Sequence, residues 1–519
     1  MNVPPIPNNR KNEARKIRRD AAQLAFGRPH PTHQNNDEEN DYPFVANHSK
    51  GLPHDDLGEV DPAAYQALLD AVASGDPAKF DAIPLAGANT RKLTNPQAGM
   101  AYDLEGPDAQ AVTIAPAPRI NNAENSAEMG ELYWMALLRD VNFTDFATNP
   151  MVTEAAASLS LEFSDFKGPK DPSTGKVTPA TLFRGIYPGE LDGPYLSQFM
   201  LKDIPYGSLT INQRQKTVVA GIDYMTDYNS WLAVQRGADR RRRDRLDLDI
   251  EGRPNFRYIR NMRDLGRYVQ VDAPYEAYLN ACLILLGINA PLDPGNPYKN
   301  SPNQEGFCTF GGPHILSLVT EVTTRALKAV WFQKWCVHRR LRPEAFGGRI
   351  HNHKTGAKSY PMIDAEILNS SVLDNVFDKH GTYLLPQAFP EGSPPHPAYG
   401  AGHATAAGAC VTILKACFDE SHTVPYPVVP NAHGTALEPY TGPGAGALTV
   451  GGELNKVAGN TAIGRNMAGV HWRTDYSESV KLGEAVAIGC LEEQKEAYNE
   501  DHSFTLTKFD GTTITIKKP

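Results

Sequence analysis

Residues His314–Trp335 read HILSLVTEVTTRALKAVWFQKW. Ile315, Val319, Val322, Ala326 and Val330 recur at spacings of three and four, which lays them along one face of an amphipathic helix. That periodicity decides for a mainly α fold. The stripe then ends on a charge, because Lys334 continues the face of Val330. A lysine on a core-facing stripe needs a carboxylate or a bound anion; the competing reading is a stem that carries its charge back to solvent. His338 follows one turn later, and Arg342 stands just before Pro343.

Outward from this helix, DPAAYQALLDAVASGDP opens with Asp61 as N-cap and Pro62 at the first helical position. MGELYWMALLRDV, QKTVVAGIDYMTDYNSWLAVQRG and PYEAYLNACLILLGI carry helical spacings as well. Long Gly- and Pro-rich loops are expected over 285–313 and 420–460, and loops of that length are usually functional or pinned at an interface. FTLTKFDGTTITIKK alternates about Asp510-Gly511 and predicts a β-hairpin. Residues 1–60, rich in Pro, Asn, Asp and His, read as an extended N-terminal arm whose His30, His33, His48 and His54 are surface histidines. Residues 61–519 read as a single large helical body.

The chain has 519 residues, 41% apolar and 21% charged, with a net charge of -9. This is the composition of a soluble globular protein and excludes nucleic acid as a general partner. The segment ADRRRRDRLDLDIEGR interleaves aspartates with its arginines and predicts a salt-linked surface or a subunit contact. No apolar run of about eighteen residues predicts a membrane span, and the basic N-terminus lacks the apolar core of a secretory signal. Six cysteines without a C-x-x-C argue against a disulfide scaffold or a structural zinc site, and Cys308 is the candidate exposed thiol.

Two further segments carry chemistry. In SPPHPAYGAGHATAAGACVTILKACFDE, residues 393–420, Ala401, Gly402 and His403 open a helix. Its first amides have no internal partners and its dipole is positive there, which suits an anion. His396 lies in the preceding loop, and the small residues that follow let a neighbouring helix approach. In GRNMAGVHWRTDYSESV, residues 464–480, Arg465 and His471 are followed by Asp475, four residues beyond the histidine. Asp475 fits two roles: a carboxylate that orients the imidazole, or a helix N-cap answered by Glu478. Together the three segments hold one lysine, two arginines, two histidines and a bare helix N-terminus. That set suits a tetrahedral or trigonal-bipyramidal oxyanion.

The pattern K-x7-R-P, then G-H after a proline-rich loop, then R-x5-H-x3-D, resembles the vanadium-dependent haloperoxidases. They share a wider superfamily with acid phosphatases and lipid phosphatases. The flanks resemble the bromoperoxidases of red algae and cyanobacteria. The resemblance implies two four-helix bundles and a vanadate site within 331–475. His471 would ligate vanadium, while Lys334, Arg342, Arg465 and the Gly402 amide would hold vanadate oxygens. His403 would be the acid–base group, and His396 and Trp331 would line the halide pocket. Hydrogen peroxide, bromide or iodide, and an organic halogen acceptor would be the reactants. The assembly would be a homo-oligomer, from a dimer up to a dodecamer, and a structural calcium ion is left open. One position departs from the family: Ala401 stands where the motif has serine. The alternative within the superfamily is an acid phosphatase with His471 as nucleophile and His403 as acid.

Overall fold

The computed structural model describes residues 9–518. The helices used below are α1 (Arg10–Gly27), α2 (Pro62–Ser74), α3 (Ala123–Leu137), α4 (Pro150–Leu161), α5 (Met262–Val271), α6 (Glu276–Gly287), α7 (Gly312–Phe332), α8 (Pro343–Lys354), α9 (Ser371–His380), α10 (Gly402–Cys417), α11 (Val450–Met467) and α12 (Arg473–Gln494). β-Structure among the described residues is confined to two-stranded antiparallel ladders. The longest pairs Ser503–Thr507 with Thr513–Lys517, as the turn at Asp510-Gly511 predicts.

α10 is the axis of the main bundle and packs against α7, α11 and α12. Every residue of α10 except His403 is buried. The small-residue tract explains how. A Cβ on Gly408 would lie 2.0 Å from the Val480 carbonyl oxygen, and one on Gly483 would lie 2.0 Å from that of Thr405. α10 and α12 therefore meet backbone to backbone, each through the other's glycine. The stripe of α7 is buried as expected. α7 then runs into a π-helical turn, Gln333–His338, which ends on Arg339 in the left-handed conformation. The wider turn buries both Lys334 and Trp335, each fully covered. π-Helical turns inside helices are frequent at functional sites.

Asp61 caps α2 as expected, accepting from the Ala64 amide. The arginine-rich segment is a salt-linked surface, with Arg241 paired to Asp239 and Arg253 to Asp249 and Glu251. Cys308 is exposed, and the other five cysteines are buried or half-buried free thiols.

Several expectations are corrected. The stretch 215–237 is helical only over Tyr228–Gln235; its first residues form a short ladder with Phe256–Arg257. Gly221 in a positive-φ turn separates the two, so the apolar spacing there reports burial rather than a helix. The loop expected to reach 460 ends at Thr449, which caps α11. The N-terminal arm is not uniformly extended. Arg10–Gly27 is a helix with no buried residue, while residues 46–52 are buried. His48 is therefore not a surface histidine: it is 3% exposed and packs edge-on against Trp335. Leu52, Tyr65, Leu68 and Phe80 join Trp335 in a second apolar cluster. No helix among the described residues is long and apolar enough to cross a membrane.

Candidate active site

Five elements converge at the N-terminal end of α10. The π turn contributes Lys334, and the N-cap of α8 contributes Arg342. The loop before α10 contributes His396, the last turn of α11 contributes Arg465, and the α11–α12 connection contributes His471. Ala401 is the N-cap of α10, so Gly402 and His403 occupy its first turn.

The hydrogen bonds define which nitrogen does what. His471 Nδ1 lies 2.6 Å from Asp475 Oδ2, and its Nε2 lies 2.9 Å from Arg342 Nη1. A guanidinium can only donate, so Nε2 accepts and Nδ1 carries the proton that goes to Asp475. Arg342 also donates Nη2 to His396 Nδ1 at 2.9 Å, which leaves the His396 proton on Nε2. Arg342 Nε donates to the His396 carbonyl and Nη1 to the Val470 carbonyl. Lys334 Nζ donates to the carbonyls of Pro397 and Ala398 at 2.8 and 3.0 Å. Arg465 Nη1 donates to the Val269 carbonyl at 2.7 Å, whereas its Nε is buried without a partner.

No carboxylate forms an ion pair with Lys334, Arg342 or Arg465 among the described residues. Burial holds Lys334 well below its usual range, with Arg342 and Arg465 adding to the effect. Burial pushes Arg342 down to about 9 and Arg465 down to about 10. His471 and His396 are held well below the ordinary imidazole range, first by burial and then by the neighbouring cations. Three cations crowded together with no carboxylate in contact, and with Asp475 and Asp272 acting only from farther off, lose free energy until an anion joins them. A Cβ on Gly402 would come within 3.0 Å of the Trp331 ring, so glycine there seats the helix amides directly beside the tryptophan. Trp331 also lies 4.9 Å from His396, the rings tilted by 40°, and its ring is 5.6 Å from Lys334 Nζ. This donor set fits vanadate: free charge, an unpartnered Arg465 Nε, bare helix amides and one imidazole lone pair.

Asp475 orients His471, but it is not the N-cap that its spacing to Glu478 suggested: it sits inside the first turn of the helix. Oδ2 takes the His471 proton and also the Trp472 amide, at 3.0 Å, which closes the start of α12. The helix thus begins two residues before Asp475, and Trp472 is the N-cap. Asp475 Oδ1 accepts from Arg340 Nη1 at 3.0 Å, and Arg340 is paired in turn with Glu128.

Four supporting residues escape sequence reasoning. Asp272, at the end of α5, places Oδ1 3.1 Å from His403 Nε2; a partner 131 residues away leaves no spacing signal. Lys50 donates to Glu344 at 2.9 Å and to the Glu391 carbonyl at 3.0 Å, while Glu344 accepts the Ser393 amide at 2.6 Å. This buried knot ties the N-terminal segment to the helix after Arg342 and to the loop before His396. Thr94 adds a second tie, accepting from Trp331 Nε1 and donating to the Pro395 carbonyl, both at 3.0 Å. Glu344, two residues past Arg342 in R-P-E, was the one of these within reach of the motif.

Buried cations left without carboxylates, set against free helix amides, define a helical protein built to hold a small oxyanion. Comparison with known proteins narrows this class. A family model described as the VCPO second helical-bundle domain matches residues 369–500. The vanadium-dependent bromoperoxidases of Corallina officinalis and Corallina pilulifera are each 42% identical, over 93% of both chains. That of Ascophyllum nodosum is 36% identical over 99% of this chain and 93% of its own. The solved homohexameric structure of the second vanadate-dependent bromoperoxidase of Ascophyllum nodosum superposes with a TM-score of 0.92. It has 33% identity and covers 98% of this chain and 91% of that one. The chain belongs to the vanadium-dependent haloperoxidases, on their bromoperoxidase branch.

Proposed function

We propose that this chain oxidises bromide, and iodide, with hydrogen peroxide to hypohalous acid that halogenates organic molecules. The observation that carries the reading is the cluster of Lys334, Arg342 and Arg465, buried with no carboxylate partner around the lone pair of His471. Vanadate is the oxyanion that fits. Lys334, Arg342, Arg465 and the amide of Gly402 would hold its oxygens, and His471 Nε2 would be the protein ligand. When bound, vanadium(V) supplies a Lewis acid that activates hydrogen peroxide toward halide.

The chain's own groups do the rest. Asp475 fixes His471 in the tautomer that presents Nε2 and strengthens it as a ligand. The cations are preorganised by carbonyls, so little reorganisation is required as charge shifts during reaction. His403, paired with Asp272, takes the proton from incoming peroxide at its second ring nitrogen, and Asp272 stabilises the imidazolium. His396 carries its proton on Nε2, with its ring beside that of Trp331, and is a donor suited to bromide. Ala401 brings no hydroxyl, so oxyanion binding rests on the cations and amides. Nothing favours the phosphatase reading, since the relatives are bromoperoxidases. A homo-oligomer is the natural assembly, given the homohexameric neighbour.

The test strips the protein with chelator and phosphate, restores orthovanadate, and follows bromination of a phenolic dye with peroxide and bromide. A phosphate-monoester assay runs beside it. Vanadate-dependent bromination is expected. Phosphatase activity that vanadate inhibits, without bromination, would overturn the reading.

A further inference from the structure

The last turn of α5 has two faces. On one, the Val269 carbonyl accepts from Arg465 and Asp272 meets His403. On the other, Asp272 and Val271 form part of the wall of a cavity of about 480 Å³. The cavity floor is apolar, with the buried Ile204 and Ile259 and the ring of Tyr268; Ile211, Arg214 and Asn280 stand at its rim. Glu276 completes the inner wall beside Asp272. Tyr268 has a buried hydroxyl without a hydrogen-bond partner. A mostly apolar concavity with a few convergent polar groups is the usual form of a small-molecule site.

We propose that this cavity holds the organic halogen acceptor, a small neutral phenol, beside the acid–base pair His403–Asp272. The inference rests on the bromoperoxidase reading and adds to it where the acceptor waits. Two carboxylates on one wall, Asp272 and Glu276, outnumber the single lining cation, Arg214, so they disfavour an anionic acceptor and accept a hydrogen bond from a phenolic O–H. Burial raises the Glu276 carboxyl, and Asp272 adds to the shift, so Glu276 is a strong acceptor there. The chemistry balances with the hypobromous acid that the enzyme supplies. A ring carbon attacks bromine, the O–Br bond breaks with its electron pair on oxygen, and the ring proton leaves to yield the bromophenol and water.

Two substitutions fill the cavity from its rim, Asn280→Trp on α6 and Ile211→Trp on the short strand Leu209–Ile211. Neither residue touches the anion site. Tribromide formation without organic acceptor should be unchanged in both variants. The KM for phenol should rise about tenfold or more while kcat holds. Wild type should prefer phenol over 4-hydroxybenzoate beyond the ratio given by added hypobromite, and both variants should fall back to that ratio. A wild-type ratio equal to that of hypobromite would overturn the proposal, as would variants that keep the preference. Phenol binding is also read by saturation-transfer NMR on protein without vanadate, peroxide or bromide. Contacts that vanish in the tryptophan variants support the site even if bromide oxidation itself fails, and absence of binding in wild type refutes it.

Discussion

Arg263 and Arg465 are buried almost equally, at 3% and 7% exposure, and they do opposite things. Arg263 donates to both oxygens of Asp140 and to Asp223, which also pairs with Arg139. Burial alone would lower its guanidinium, but these carboxylates raise it above its ordinary value. Arg465 has one carbonyl, the face of Phe389 and an unpartnered Nε, and burial lowers it. A buried cation with carboxylates holds a fold together. A buried cation without them is held by the fold for something else.

The sharpest way to break this contrast is stability. Arg263→Met should cost about 1–3 kcal/mol, read by chemical denaturation, because Asp140 loses its guanidinium partner and Asp223 keeps Arg139 beside it. Arg465→Met, in vanadate-free protein, should leave the midpoint unchanged or raise it; equal losses in both would erase the distinction. Lys334→Met should keep its melting temperature yet lose about 10²–10³ in bromide oxidation, the usual cost of one preorganised charge-stabilising donor. Orthovanadate at a hundred times its Kd should stabilise wild type by about 2.7 kcal/mol in thermal melts, and that gain should shrink in Arg465→Met. Asp475→Asn should weaken vanadate binding about 10–100-fold by equilibrium dialysis, since the imidazole loses its orienting charge. The smallest effect is expected of Ala401→Ser, which restores a hydroxyl beside the Gly402 amide and should tighten vanadate binding about tenfold. No gain there would show that the pocket has already been completed without it.

The helices that carry the site were legible because their signals are local. The stripe of α7 ran straight to Lys334, and the glycine and alanine run of α10 announced a close helix contact. Asp475 stood one helical turn from His471 and orients it as its spacing suggested, whereas the N-cap role passed to Trp472, three residues earlier. The failures have a common cause. His48 sits among prolines and polar residues, so composition placed it at the surface, whereas backbone pairing with Arg339–Leu341 carries it inside. Residues 215–227 look helical because they are half-buried against other elements. Asp272 and Lys50 act through partners 131 and 294 residues away, and one sequence holds no trace of such pairings.

The knot of Lys50, Glu344 and the 391–393 loop has a consequence in time. Lys50 and Glu344 are 294 residues apart. At typical synthesis rates of 5–20 residues per second, the lysine precedes its partner by about 15–60 s. During that interval the segment around Lys50 has no place to dock, and the loop before His396 lacks the tie that holds it to α8. Contacts of such long range also slow folding. The nascent chain therefore holds the segment around Lys50 in reserve, and this end of the bundle closes only when that segment meets residues made long afterwards.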